Sequence, residues 1–241
     1  MNNTANVCDL KSCFFCRFCL NDWLPAIEAH KTSYEVKKGQ ILFKEGDPVT
    51  GIYFVYTGIV KVHKKWGSEK ELILRFAKCG DILGHMGLGS DNYYPVSATA
   101  VEAGIVCYIA MDFFKSSINV NTSLAYNLIM FLTDELKESE QRMRNLAHMP
   151  VRGRVAQVFI TLKNQFGVNK NGGINIELSR QDLASFTGTA YETLFRVIND
   201  LIEDKVIAIT GKNIVIVNED KLLNLTSETI YSKRIKSTFP L

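Results

Sequence analysis

The run Leu178–Val217, LSRQDLASFTGTAYETLFRVINDLIEDKVIAITGKNIVIV, has the pattern of a winged helix-turn-helix. Ser179 caps a first helix whose apolar residues Leu183 and Phe186 recur at helical spacing. Asp182, three residues after the cap, closes a capping-box-like start. Thr187-Gly188-Thr189 is the turn, because glycine reaches backbone conformations that other residues enter only at a cost. Thr189 with Glu192 repeats the cap pattern, so a second helix is expected to start there. Its inner face is Leu194, Val197, Ile198 and Leu201, which leaves Tyr191, Glu192, Phe195 and Arg196 on or near the outer face. Val206–Ile209 and Ile214–Val217 flank Thr-Gly-Lys-Asn and read as a short hairpin, the wing, with Lys212 placed for a phosphate.

The outer face of the second helix carries groups suited to base edges. A carboxylate accepts from the cytosine amino group and an arginine fork pairs two acceptors of guanine. Glu192 and Arg196, one turn apart, therefore suit neighbouring base pairs in a major groove. On an isolated helix the same two residues would read as an ion pair on a solvated face. Their place at the start of the second helix of a capped pair favours base reading. Charge agrees in sign: the chain carries a formal +3, and residues 151–241 hold twelve Lys/Arg against nine Asp/Glu. Phosphate contacts and counterion release need some such excess.

The 241 residues are 46% hydrophobic, and mean hydropathy is +0.01, enough to bury a core in one or two domains. No apolar run approaches the length of a membrane span, and Met1–Asn6 lacks the basic-then-apolar start of a signal peptide. The expected location is the cytoplasm, with no membrane partner.

Upstream of the winged element, residues from Thr122 to Ala147 read as one long helix. Leu128, Leu132, Leu136, Ser139, Met143 and Leu146 are spaced by four, four, three, four and three, a seam for a partner helix. The polar latter half favours a parallel homodimer over burial within one chain. Two half-sites one DNA turn apart would multiply weak single-site specificity, so the expected target is double-stranded DNA with a palindromic operator. Glu135 and Glu140 are expected to bring like-charge repulsion to this seam. Pro150 ends the helix, and Val155, Val158, Phe159 and Leu162 form the buried face of the next one.

From about Tyr34 to Ala110 short β-rich runs alternate with turn signals, as in QILFKEGDP, IYFVYTGIVKVHKK, ELILRFAKCGD and SATAVEAGIVCYIA. Regular spacing of this kind suggests a compact antiparallel, barrel-like domain. Before it, Cys8, Cys13, Cys16 and Cys19 fall within a dozen residues, with Cys79 and Cys107 far away. In a reducing compartment such thiols favour a metal over a disulfide frame. Cys8, Cys13, Cys16 and Cys19 would suit tetrahedral zinc; an iron-sulfur cluster could use the same four, or three and a distant one. Simple packing is the competing reading, since Phe14, Phe15 and Phe18 interleave the cysteines and buried cysteine behaves as a small hydrophobe. A thiol redox enzyme built on the CxxC pairs is disfavoured, because no thioredoxin-like βαβ pattern surrounds them. Cys79 reads as structural.

SRQDLA, the Gly188 turn, ETLFR and the GKNIVIV hairpin resemble the DNA-binding domain of the Crp/Fnr family of bacterial transcription regulators. GQILFKEGD, IYFVYTGIVKV and GDILG resemble that family's β-roll. The resemblance implies an α+β chain with four parts: a cysteine-rich segment (1–30), a β-roll of the cyclic-nucleotide-binding, jelly-roll kind (31–120), a long dimerisation helix (121–148), and a C-terminal winged helix-turn-helix domain (149–241). It also implies a regulator, not an enzyme, with RNA polymerase as a further partner. Arg180 and Gln181 match positions that touch the DNA backbone, Glu192 and Arg196 match base-reading positions, and Thr189 and Tyr191 lie beside them. Phe195 stands where the family usually has a small residue.

Family members that bind cyclic nucleotides use an acidic residue after the GD-x-x-G turn and an Arg-Ser pair. Here His85 and the Pro95-Val96-Ser97 stretch stand instead, leaving no cation for a buried phosphate. The resemblance is nearest to the oxygen-sensing Fnr branch and implies a 4Fe-4S cluster on Cys13, Cys16, Cys19 and Cys107, although the C-x2-C-x2-C spacing is tighter than that branch usually has. Haem, zinc, a cyclic nucleotide or no effector are the alternatives. For His85, a surface or loop position is the expected reading over haem ligation.

Overall fold

The computed structural model describes residues 2–4, 9–67, 70–211 and 213–227. It divides into two compact units, Met1–Lys137 and Glu138–Leu241. The first begins with strand β1 (Asn2–Thr4) and helices α1 (Phe14–Phe18) and α2 (Leu24–His30). The strands that follow are β2 (Lys31–Val36), β3 (Ile41–Phe43), β4 (Gly51–Thr57), β5 (Val60–Trp66), β6 (Lys70–Ala77), β7 (Ile82–Leu83), β8 (Ser97–Ala100) and β9 (Gly104–Ala110). They form two sheets, ordered β1-β2-β9-β4-β7 and β3-β8-β5-β6, with antiparallel pairing throughout. The barrel-like expectation thus resolves into a two-sheet roll.

Strand alternation explains how the five-stranded sheet serves two cores. Successive side chains on a strand point to opposite faces. On β4, Tyr53 and Val55 join Val60, Val62, Ala98 and Ala100 of the other sheet inside the roll. Ile52 and Phe54 point the other way, as do Cys107 and Ile109 of β9. They pack with α1, helix α3 (Met111–Val120) and the first turns of helix α4 (Thr122–His148). Burial on both faces accounts for the unbroken apolar run of β4.

The second unit holds the end of α4, then α5 (Val151–Phe166), α6 (Arg180–Thr187), α7 (Tyr191–Glu203), the strand pair β10 (Ile207–Thr210) and β11 (Asn213–Ile216), and α8 (Glu219–Asn224). Ser179 Oγ accepts from the Asp182 amide at 3.0 Å and donates to its carboxylate at 2.6 Å, so the first cap forms as read. The second does not. Gly188 takes the left-handed conformation (φ 70°), and the amides of both Gly188 and Thr189 close on the Ala184 carbonyl. Thr189 is used in ending α6, and the N-cap of α7 falls on Ala190, which has no side-chain acceptor.

Candidate nucleic-acid interface and thiol site

On α7, Leu194, Ile198 and Leu201 are buried and Val197 is half-buried. This inner face packs on α5 and α6 and turns Tyr191, Glu192, Phe195 and Arg196 outward, all exposed. Phe195 is 53% exposed, a large apolar ring left in water on the outer face. Arg196 Nη2 lies 3.5 Å from Thr193 Oγ1 of its own helix. At the start of α6 Gln181 is exposed and Arg180 half-exposed; Thr189, in the turn, is half-exposed. The strand pair β10–β11 turns at Gly211 (φ 63°); Lys212, assigned to phosphate, lies outside the described residues. The arrangement offers an acidic acceptor, an arginine fork and two aromatic surfaces on the exposed face of one helix, groups of the kind that meet base edges.

The thiols assemble at the far face of the five-stranded sheet. Cys13 is the N-cap of α1, its Sγ accepting from the Cys16 amide at 3.4 Å, and Cys19 ends the same helix. Phe15, between them, stacks on Phe54 of β4 (ring centroids 5.4 Å apart) and meets Phe114 of α3 at the same distance. The Phe14 amide donates to the Gly80 carbonyl at 2.9 Å. Gly80 itself has φ 93°, and a side chain there would meet the Ser12 carbonyl. Leu20 donates to buried Asn121 and Trp23 to Ser117, fixing the segment to α3. Cys107, from β9, shares this core, its Sγ 3.8 Å from Ser33 Oγ on β2.

Cys13, Cys16, Cys19 and Cys107 are therefore four buried thiols in one apolar cluster, drawn from segments 88 or more residues apart (107 minus 19). Burial, and next the neighbouring Cys13, push the Cys19 thiol up to about 12. Among the described residues no three His, Cys, Asp or Glu side chains converge as they would on a single metal ion. Cys79 is exposed in its turn, and Cys8 lies outside the described residues.

Two expectations are corrected at the β-roll. His85 is not at the surface: it is 4% exposed and meets the Phe131 ring edge-on, centroids 5.0 Å apart. Burial, then the Arg75 charge, hold its pKa down to about 3. Glu135, expected to bring like-charge repulsion to a helix seam, has an arginine and an imidazole beside it within its own unit. Its carboxylate turns back to Arg75 Nε at 3.4 Å and His85 Nε2 at 3.8 Å. Arg75, His85 and Glu135 were not found by sequence reasoning as a group, because their meeting depends on tertiary packing.

The apolar stripe of α4, expected to form a seam, is also shifted at its start. Leu128 is buried in the core of its own unit, whereas Ile129, Leu132, Leu136 and Met143 are exposed. Ser139 is exposed and Leu146 half-buried. Replacing Leu128 by Ile129 gives spacings of three, four, three, four and three through Leu146, a regular heptad. Sequence spacing alone could have suggested it; the pull of the core on Leu128 could not be read locally.

Comparison with known proteins agrees with this layout. The model of the cyclic nucleotide-binding domain matches residues 34–121, and that of the Crp-like helix-turn-helix domain matches residues 153–225. The Anaerobic regulatory protein of Bacillus subtilis (strain 168) is 28% identical over 211 residues, covering 86% of this chain and 89% of that protein. The Fumarate and nitrate reduction regulatory protein of Escherichia coli (strain K12) is 26% identical over 196 residues, covering 80% and 78%. The structure of FixK2 from Bradyrhizobium japonicum shares the fold, with a TM-score of 0.73 and 23% identity over 82% of this chain and 98% of that one. Among the described residues no helix is long and apolar enough to cross a membrane. With a β-roll of the cyclic nucleotide-binding kind followed by a Crp-like helix-turn-helix, the chain belongs to the Crp/Fnr family of DNA-binding transcription regulators.

Proposed function

We propose that this regulator senses oxygen or redox state through an iron-sulfur cluster, of the 4Fe-4S type, held by Cys13, Cys16, Cys19 and Cys107. The observation that carries the reading is the gathering of these four thiols, from α1 and its two caps and from β9, in one buried apolar cluster. A buried cysteine can serve as a small apolar filler, but packing alone does not call for four. All-cysteine ligation is the donor set such clusters take, and a body of several atoms needs its thiolates spread wider than a single ion does. The name of the Bacillus relative, Anaerobic regulatory protein, points the same way. When bound, the cluster supplies oxygen-sensitive redox chemistry.

The chain's own residues give that chemistry a structural outlet. Cys107 ties the site to the roll; Cys13, Cys16 and Cys19 tie it to α1. Phe14 of α1 meets Phe131 of α4, with ring centroids 5.5 Å apart. Loosening α1 therefore disturbs the helix that carries Ile129, Leu132, Leu136, Ser139, Met143 and Leu146. These form the seam of a parallel homodimer in the cytoplasm, which places two α7 helices on a palindromic operator. Arg180, Gln181, Thr189 and Lys212 serve the backbone, and Glu192 and Arg196 read base pairs. Tyr191 and Phe195 offer apolar surface to thymine methyl groups. RNA polymerase is the partner through which bound DNA becomes a change in transcription.

The test compares Cys107→Ser with Cys79→Ser in protein purified without oxygen. Cys107→Ser is expected to lose bound iron and the oxygen dependence of DNA binding, while Cys79→Ser keeps both. Full iron in the Cys107→Ser protein would remove Cys107 from the site.

A further inference from the structure

Arg142 lies in the last turns of α4, between Ser139 and Met143 of the seam. Its guanidinium carbon sits 4.6 Å from the centroid of the Phe186 ring, and its Nη2 donates to the Phe186 carbonyl at 2.6 Å. Phe186 is the penultimate residue of α6, where carbonyls lack partners within the helix and the dipole favours a cation. Arg154, in the first turn of α5, completes the arrangement. Its Nη1 donates to the carbonyls of Leu146 (3.3 Å) and Met149 (3.1 Å), at and just beyond the end of α4. Its Nη2 reaches the Gly188 carbonyl at 3.3 Å. All of these groups belong to the second unit.

Two arginines thus converge on Phe186–Gly188, the turn whose left-handed glycine sets the angle between α6 and the recognition helix. One of them is carried by the seam helix itself. Both a stacked guanidinium and a carbonyl-directed fork are geometries that lysine does not reproduce. An exposed arginine would keep its freedom; Arg142 is half-buried and spends its charge on a backbone carbonyl.

We infer that Arg142 is a positioning residue that fixes the recognition helix to the end of the seam helix and thereby sets the spacing at which a dimer reads its two half-sites. The inference rests on the dimer reading above. Recognition helices of a dimer must meet grooves about 34–36 Å apart. Linking two sites multiplies affinity by about 10²–10⁴ only when both can engage at once. Without Arg142 each α7 still reads a half-site, but the distance between the two is no longer held.

The experiment uses full-length protein purified without oxygen and a palindromic duplex selected by the wild-type protein from a randomised DNA pool. Its half-site spacing is then changed by one and two base pairs, and a single half-site is measured alongside. Wild type should bind best at one spacing. Arg142→Ala should lose roughly tenfold or more at that spacing, show a flattened spacing profile, and keep half-site affinity within about twofold. Arg142→Lys should fall between them, and it decides the matter if Arg142→Ala does not fold by far-ultraviolet circular dichroism. A variant with the wild-type spacing profile overturns the inference. So does one that loses the half-site in proportion to the full site, which marks a purely structural role. A wild-type protein indifferent to spacing overturns the dimer reading, and this inference with it.

Discussion

The two units treat the side chains proposed as functional in opposite ways. In the first, Cys13, Cys16, Cys19 and Cys107 are buried in an apolar cluster with Phe15, Phe54, Phe114 and Leu124. In the second, Tyr191, Glu192, Phe195 and Arg196 stand exposed on a helix held from behind by Leu194, Ile198 and Leu201. A thiol site of the kind proposed must be shielded from water, so its proposed ligands become part of the core. A base-reading face must stay open until DNA arrives, so its residues add little to stability. Substitution in the first unit therefore mixes function with folding, whereas in the second the two can be separated.

The largest test of that contrast is Phe114→Ala, which removes a fully buried ring from beneath the thiol segment. Chemical unfolding should show a loss of about 3–5 kcal/mol. The same measurement on Phe195→Ala should move within about 0.5 kcal/mol. Comparable losses would mean that the exposed face also supports the fold.

Acid should separate the units next. His85 has a folded-state pKa held down to about 3 against an unfolded value of 6.5. As pH falls below 6.5 the unfolded chain takes the proton first, so stability present above that pH is lost progressively toward pH 3. The scale is on the order of a few kcal/mol. Glu71, hydrogen-bonded to His63 and Lys61, is lowered to about 2, and its contribution is lost from about pH 4.5 downward. Hydrogen exchange should therefore show the first unit loosening between pH 6.5 and 4.5, and His85→Asn should flatten that slope. An unchanged slope in His85→Asn would assign the loss to other groups.

Arg196→Ala should cost about 1–3 kcal/mol of discrimination between the selected operator and scrambled DNA, read by fluorescence anisotropy, with thermal unfolding unchanged. Ser179→Ala is the smallest case. Loss of the cap should lower stability by about 1 kcal/mol and leave the preference among DNA sequences intact. A change in sequence preference would show that the start of α6 does more than hold α7.

The contrast also explains what could be read from the sequence. The winged element is contiguous, and its first cap, turn and helical period are local, so the two helices, the strand pair and the outward face of α7 were legible in residues 178–217 directly. The one local error, the cap at Thr189, arose where closing α6 competed with starting α7. At the thiol site the residue types were legible, but the joining of Cys107 to α1 depends on β9 pairing with β2 and β4 and on which face of the sheet Cys107 occupies. The same dependence on tertiary packing moved Leu128 into the core, turned Glu135 toward Arg75, and buried His85. It also hid Arg142 and Arg154, whose partners are backbone carbonyls that leave no signature in a side-chain pattern.

The most direct test of the central claim is the visible absorption of the full-length protein purified without oxygen, with iron and sulfide content and operator affinity measured on the same sample before and after air. The account predicts coloured protein with bound iron and sulfide that bleaches in air as operator affinity changes. A colourless, iron-free protein that binds the operator equally well before and after air would contradict it.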